Sequence, residues 1–95
     1  MMVETLPFDA AEYLTSPKAQ AELLADAFES GDETYIKNAL ATVARARGMT
    51  AIARNAAVTR QALYKSLSET GDPRLSTLIG VMKALGFKIT VHEAA

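Results

Sequence analysis

The chain has 95 residues, of which 49% are apolar and 22% are charged, and it contains no cysteine. This length predicts one compact domain, and the lack of thiols excludes a disulfide framework and a thiolate metal site. No apolar run is long enough to span a membrane and no secretory signal opens the chain. We therefore expect a cytoplasmic protein without membrane contact.

The charge is distributed unevenly, although the net charge is only −1. Residues 1–33 hold eight acidic residues and one basic residue, whereas residues 34–95 hold nine basic and three acidic residues. The resulting −7 against +6 predicts a dipolar molecule whose basic part can meet nucleic acid. Glu22, Asp26 and Glu29 are candidate contacts to a basic partner protein. The alternatives for these acids are a solvated helix face and a surface that keeps this end of the molecule away from DNA phosphates.

The first third of the chain is predicted to be helical. Asp9 followed by Glu12 is a weak N-terminal capping pattern, and Ser16 followed by Pro17 predicts the start of a helix. Gly31 is expected to end that helix. Its predicted apolar face consists of Leu23, Leu24, Ala27 and Phe28.

A second helix is predicted to begin after Asp32 and to end at Gly48, with Arg45 and Arg47 favourable to its C-terminal dipole. Its apolar stripe consists of Ile36, Leu40 and Val43.

The stretch 49–67, MTAIARNAAVTRQALYKSL, predicts two short helices joined by a tight turn. Thr50 and Thr59 are the N-cap candidates of the two helices. The predicted buried positions are Ile52, Ala53, Val58, Leu63 and Leu67. This spacing is typical of a helix-turn-helix, whose second helix enters the major groove of DNA. The alternative is a helical hairpin that binds no DNA.

Several side chains of this stretch can reach phosphates or base edges, and none of them is acidic. Gln61 can contact adenine, and Arg60 can bind guanine or a phosphate. Lys65 is expected to bind the phosphate backbone of the DNA. The predicted DNA-binding residues are Thr50, Thr59, Arg60, Gln61, Tyr64 and Lys65.

A loop at 71–73 leads to a fifth helix that Gly86 is expected to end. Its predicted buried face consists of Leu75, Leu78, Ile79, Met82 and Leu85. Phe87, Ile89 and Val91 then alternate with polar residues, which predicts one short strand. A single strand lacks a partner, so we expect it to pair across a homodimer, which suits a palindromic operator. The alternative is a tail that packs flat.

The run from Tyr35 to Val91 resembles a known family through GMT, VTRQALYKSLS, GDPRLSTLIGVMKALG and FKITV, and FDAAEYL near the N-terminus extends the likeness. These segments are similar to the addiction-module antidote proteins, small Xre-type helix-turn-helix antitoxins. Ala57 departs from the pattern, because many relatives carry glycine at the turn, and alanine tolerates a positive φ less readily.

The resemblance implies an all-α, lambda-repressor-like domain of five or six helices with one C-terminal strand. Within the single domain 1–95, we expect an acidic segment 1–31, a helix-turn-helix core 32–86 and a dimerisation strand 87–91. The implied function is that of a type II antitoxin, which binds a cognate basic, RelE-like ribonuclease toxin and represses its own operon.

Catalysis is not expected. His92 is the only histidine and lies near the C-terminus, and no phosphate loop, metal-ligand spacing or nucleophile–base pair is visible, so no cofactor is predicted. Two alternatives to the antitoxin remain open. One is a free-standing repressor without a toxin partner, and the other is an interaction module that only neutralises a partner.

Overall fold

A computed structural model describes residues 14–94 of the chain. Within these residues the structure has five α-helices and no β-strand. The helices are α1 (Pro17–Ser30), α2 (Glu33–Arg47), α3 (Met49–Asn55), α4 (Arg60–Ser66) and α5 (Leu75–Leu85). The predicted all-helical class is confirmed for this part of the chain. The capping pattern predicted at Asp9 and Glu12 lies outside the described residues.

Two predicted N-caps of the longer helices are confirmed by their hydrogen bonds. The Ser16 hydroxyl accepts from the Ala19 N–H at 3.1 Å, and a carboxylate oxygen of Asp32 accepts from the Thr34 N–H at 2.9 Å. Each side chain thereby satisfies a backbone donor that has no partner inside the helix. The predicted helix ends are also confirmed, at Gly31, Gly48 and Gly86.

The core lies where α2, α3 and α5 meet, with α1 packed against α2 and α4 packed against α3. Apolar side chains from all five helices share it, so the short helices are held by tertiary packing rather than by their own stability. The large buried apolar side chains are Leu24, Leu40, Val43, Met49, Ile52, Leu63, Leu67, Val81, Met82 and Leu85.

The prediction for the buried face of α5 is partly wrong. Leu75 is 72% exposed and Ile79 is 37% exposed. The reason is a close approach between α5 and α3, where a Cβ on Gly80 would lie 3.0 Å from the Ala56 Cα. This contact turns the Gly80 side of α5 inward and leaves Leu75, in the first turn, beyond the edge of the core. The observed buried face consists of Thr77, Val81, Met82 and Leu85, with Leu78 half-buried.

A polar network that the sequence pattern does not predict joins α1, α2 and the end of α5. Gln20 is buried, its amide donates to the Leu14 carbonyl at 2.7 Å, and its carbonyl accepts from the Arg47 Nε–H at 2.7 Å. Arg47 also donates to the Leu85 carbonyl at 3.0 Å and stacks over the Phe87 ring at 5.6 Å. Arg47 therefore fixes the point at which the C-terminal tail, residues 87–94, leaves the core.

The C-terminal tail has no regular secondary structure in the single chain. The Phe87 N–H donates to the Met82 carbonyl at 2.9 Å, and residues 88–94 form no backbone–backbone hydrogen bond within the described part of the chain. The predicted strand is thus not formed here, because a strand requires a neighbour to complete its ladder. Pairing of this segment across a dimer stays a prediction.

Candidate nucleic-acid interface

The turn between α3 and α4 has a strained backbone. Ala57 adopts a φ of +61°, the only positive φ at a non-glycine residue in the described part of the chain. The Val58 N–H closes the turn by donating to the Ala53 carbonyl at 3.0 Å. A β-carbon in this left-handed region costs about 1–2 kcal/mol relative to glycine. The left-handed conformation considered for the turn is therefore found at Ala57, and Ala53 is buried beside the turn, as predicted.

The helix after the turn is oriented by its cap and by its buried side. The Thr59 hydroxyl accepts from the Ala62 N–H at 3.0 Å, which confirms the predicted cap. Leu63 and Leu67 are buried, so the opposite side of α4 faces outward. The outward side chains are all exposed and comprise Arg60, Gln61, Tyr64 and Lys65.

The prediction that Thr50 caps α3 is wrong. The helix begins at Met49 with Gly48 in the cap position, and no side chain caps it. Thr50 instead lies in the first turn of α3, where its hydroxyl accepts from Arg60 Nη1 at 3.2 Å. The Arg60 guanidinium also lies over the Tyr64 ring, 5.6 Å from the ring centre. Thr50, Arg60 and Tyr64 are therefore brought together by direct contacts.

Three arginines from successive helices line one open cleft. Arg45 comes from the last turn of α2, Arg54 from α3 and Arg60 from α4. The other lining residues are Gly48, Met49, Thr50, Ala51 and Tyr64, and we call this surface the arginine cleft. Among residues 14–94, the lining of this cleft includes no carboxylate. The predicted DNA-binding residues do not include Arg45 and Arg54. Their positions near the ends of two consecutive helices could have indicated a shared basic surface.

The C-terminal end of α4 is anchored to α2. The Lys37 ammonium donates to the Glu69 carbonyl at 2.9 Å and to the Gly71 carbonyl at 2.8 Å. Gly71 is required here, because a β-carbon would overlap the backbone carbonyls of Lys65 and Ser66. The loop after α4 is thereby held in one conformation, and this contact is a second feature that the sequence pattern does not indicate.

The predicted toxin-binding acids lie along α1, which packs mainly against α2. Glu22, Asp26 and Glu29 are all exposed. Asp26 accepts a hydrogen bond from the Tyr35 hydroxyl at 2.6 Å, and this bond, with burial and the carboxylate charge, raises the pKa of Tyr35 above its usual 10. The Glu29 carboxylate lies 3.9 Å from the His92 ring nitrogen, which brings the end of the C-terminal tail to α1.

The predicted dimerisation residues differ in their burial. Phe87 is half-buried against the core, whereas Ile89 is 42% exposed and Val91 is 94% exposed. Together with Leu24 and Phe28 of α1, the tail lines an apolar groove. Within residues 14–94 no three His, Asp or Glu side chains group closely enough to hold a metal ion. In the same range, none of the helices combines the length and the hydropathy of a membrane span.

These features define a small helical protein with a basic surface on two short helices and an acidic first helix. The sequence model of the family described as "Probable addiction module antidote protein" matches residues 4–93. The chain belongs to this family of antidote proteins, as its resemblance predicts. Membership supports a toxin-neutralising role and implies a toxin partner.

Comparison with individual proteins gives one similar relative. The chain is 41% identical over 87 residues to an uncharacterized protein of Haemophilus influenzae, a match that covers 92% of this chain and 90% of the relative. The two chains thus correspond along almost their whole lengths. No solved structure gives a significant match.

Proposed function

We propose that this chain is a DNA-binding antitoxin that neutralises a basic, RelE-like ribonuclease toxin and represses its own operon. The observation that supports DNA binding most directly is the outward side of α4. Exposed polar and cationic side chains occupy the helix immediately after a tight turn and a side-chain N-cap. A duplex groove is a partner that such a surface fits in both shape and charge.

The proposed docking is that of a lambda-repressor-like helix-turn-helix, with α4 in the major groove. Gln61 lies in the first turn of α4. In this docking its side-chain carbonyl oxygen accepts from adenine N6 and its NH2 group donates to adenine N7. Lys65 lies one turn further along and holds a backbone phosphate. Arg60 has the chemistry either to read guanine or to hold a phosphate.

Toxin neutralisation rests on family membership together with the charge of α1. Glu22, Asp26 and Glu29 are spaced four and three residues apart, so they follow one side of the helix and present three carboxylates to a partner. A basic toxin would be attracted to this surface over the range of a Debye length, about 8–10 Å at physiological salt. We propose that this side of α1 is the first contact of the toxin.

A homodimer completes the proposal. A second copy can cover the exposed Ile89 and Val91 side chains. It can also pair with the backbone of residues 88–94, which forms no backbone–backbone hydrogen bond with the described residues. Pairing the two C-terminal tails gives a twofold axis, which suits a palindromic operator. The proposed activity is binding in the cytoplasm, without catalysis.

A mobility-shift titration with the DNA upstream of the protein's own gene tests this function. We expect the protein to bind the upstream duplex more tightly than a random duplex of equal length. The affinity should fall steeply between 50 and 200 mM salt, as is typical of a protein that contacts about 6–10 phosphates. Adding the product of the neighbouring gene tests the toxin partner in the same assay.

The two alternative functions predict different outcomes. An interaction module that only neutralises a toxin would bind the neighbouring gene product but shift neither duplex at either salt concentration. A free-standing repressor would shift the upstream DNA but form no complex with the neighbouring gene product.

A further inference from the structure

We propose that the apolar groove between α1 and the C-terminal tail binds an amphipathic, basic segment of the toxin. The apolar side of that segment enters the groove, and its basic side meets the acids of α1. This inference rests on the proposed toxin-neutralising function and names the surface that holds the toxin in place. We call this surface the tail groove. Its apolar lining includes Leu24 and Phe28 of α1, Met82 of α5, and Ile89 and Val91 of the tail.

The tail groove is a large apolar surface that the described residues leave open. Its volume is about 690 Å³. Leu24 and Met82 are buried and form its floor, whereas Ile89 and Val91 are exposed at its edge. An apolar surface of this size at the outside of a small protein is typical of a site that binds another molecule.

The helix α1 places a row of acids beside this groove. Ala21, Ala25 and Glu29 are spaced four residues apart, so they form one row along the helix, and all three line the groove. Glu22 and Asp26 each follow a member of this row, so they lie on the adjoining side of the helix. Glu29 belongs to both sets. The three acids therefore run along one rim of the tail groove.

Charge complementarity indicates a basic segment as the occupant. The tail side of the groove carries charged or titratable groups of both signs, Lys88, His92 and Glu93, whereas the rim on α1 carries three acids. A helix with an apolar stripe and a neighbouring basic stripe matches an apolar groove with one acidic rim. A second copy placed groove to groove would instead bring two acidic α1 helices together, which like-charge repulsion disfavours.

The groove and the acids are expected to act on different steps of binding. Ion pairs between exposed side chains add little affinity, because water and salt screen them, but they speed the encounter of opposite charges. Apolar side chains that become fully buried at an interface supply most of the affinity and slow dissociation. The acids of α1 should therefore set the association rate, and the tail groove should set the dissociation rate.

The main test measures the binding kinetics of the full chain with the product of the neighbouring gene, by biolayer interferometry at low and at high salt. Ala25→Gln places a longer neutral side chain in the groove from an exposed helix position, where glutamine is well tolerated. It should raise the dissociation rate by roughly 30-fold or more at both salt concentrations, the effect of losing an interface hot spot. The association rate should stay nearly unchanged. Ala62→Gln is the matched control, since it makes the same exchange at an exposed position of α4.

A second pair of variants removes apolar surface instead of filling the groove. Val91→Ala should raise the dissociation rate by about tenfold, because two methyl groups lose their cover by the toxin. Val91 is 94% exposed, so the exchange leaves the core intact. Leu75→Ala removes an apolar side chain that is 72% exposed on α5, outside the groove, and should change neither rate.

Self-association and stability distinguish the other occupants. Ala25→Gln should leave the dimer dissociation constant in sedimentation equilibrium and the midpoint of urea unfolding unchanged. A weaker dimer would assign the groove to a second copy, and a lower unfolding midpoint without a weaker dimer would assign it to a segment of the chain itself. Either result overturns the proposal, as does an unchanged dissociation rate of the toxin from Ala25→Gln. If the natural protein does not bind the neighbouring gene product, the proposed toxin-neutralising function itself fails, and the groove fails with it.

Discussion

The arginine cleft and the C-terminal tail differ in how far a single chain completes them. In the cleft, Arg60 is held by Thr50 and Tyr64, and the turn before it is closed by backbone hydrogen bonds. In the tail, residues 88–94 have no backbone–backbone hydrogen bond within the described part of the chain, and Val91 is 94% exposed. One surface is organised before any partner arrives, whereas the other needs a partner for its backbone.

This difference indicates how each surface should respond to substitution. Substitutions in the arginine cleft should alter which ligands the protein binds and leave its oligomeric state unchanged. Changes in the tail should alter assembly first, and DNA affinity only as a consequence, because a twofold operator needs two copies.

The largest effect is expected for Ile89→Pro in the tail. If Ile89 donates to the partner strand, a symmetric pair loses two backbone hydrogen bonds, which weakens the dimer by about 2–3 kcal/mol, or roughly 30- to 150-fold. Sedimentation equilibrium of the natural protein and of Ile89→Pro measures the two dimer dissociation constants. Ala94→Pro, beyond the predicted strand, is the control. An unchanged dimer dissociation constant in Ile89→Pro would place the interface elsewhere.

The second effect separates base reading from phosphate binding on α4. Gln61→Ala should cost about 1–3 kcal/mol on the operator and little on random DNA, because a base contact carries specificity. Lys65→Ala should weaken both alike and lower the salt slope by about one phosphate contact per chain. Titrations of both variants with the operator duplex and with a random duplex, at several salt concentrations, measure these affinities and salt slopes. Equal losses on both duplexes for Gln61→Ala would show that it is not a base reader.

A third effect concerns the acidic side of α1. Reversing Glu22, Asp26 and Glu29 to lysine should slow association with a basic toxin by roughly tenfold or more at low salt and much less at high salt. Stopped-flow association at two ionic strengths measures the rates, and unfolding curves check that loss of the Tyr35–Asp26 hydrogen bond has not altered the fold. Association rates that do not change would leave these acids as a solvated surface.

The smallest effect is expected at the strained turn. Ala57→Gly removes the β-carbon from a positive φ of +61° and should stabilise the fold by about 0.5–1 kcal/mol after the extra entropy of glycine is included. Ala62→Gly, at an exposed position in the first turn of α4, is the control and should destabilise the fold by up to about 1 kcal/mol. Urea unfolding measures both, and a destabilising Ala57→Gly would show that the turn stores no strain.

The local features of the fold could be predicted from the sequence because they depend on a few neighbouring residues. Ser16, Asp32 and Thr59 cap helices as expected, since a side-chain oxygen three residues before a free N–H is visible in the sequence. Thr50 was a wrong prediction of the same kind, because Gly48 starts α3 two residues earlier and frees the threonine for Arg60.

Features that depend on distant residues could not be predicted in this way. Which side of α5 is buried is decided by the approach of Gly80 to Ala56, so the apolar pattern alone misplaced Leu75 and Ile79. The hydrogen bond between Arg47 and Gln20 joins positions 27 residues apart. The lining residues of the arginine cleft all lie within residues 45–64, but they come from three helices, and how those helices pack decides which side chains face the cleft.

The anchor from Lys37 to the loop after α4 has a consequence for local unfolding. A seven-residue helix is marginal alone, and fraying normally begins at such an end. Here the Glu69 and Gly71 carbonyls are tied to α2 across 32 and 34 residues of chain. Opening of α4 must therefore break contacts with α2, the longest helix in the described part of the chain. Its amide protons should therefore exchange in the same cooperative unit as those of α2 rather than earlier.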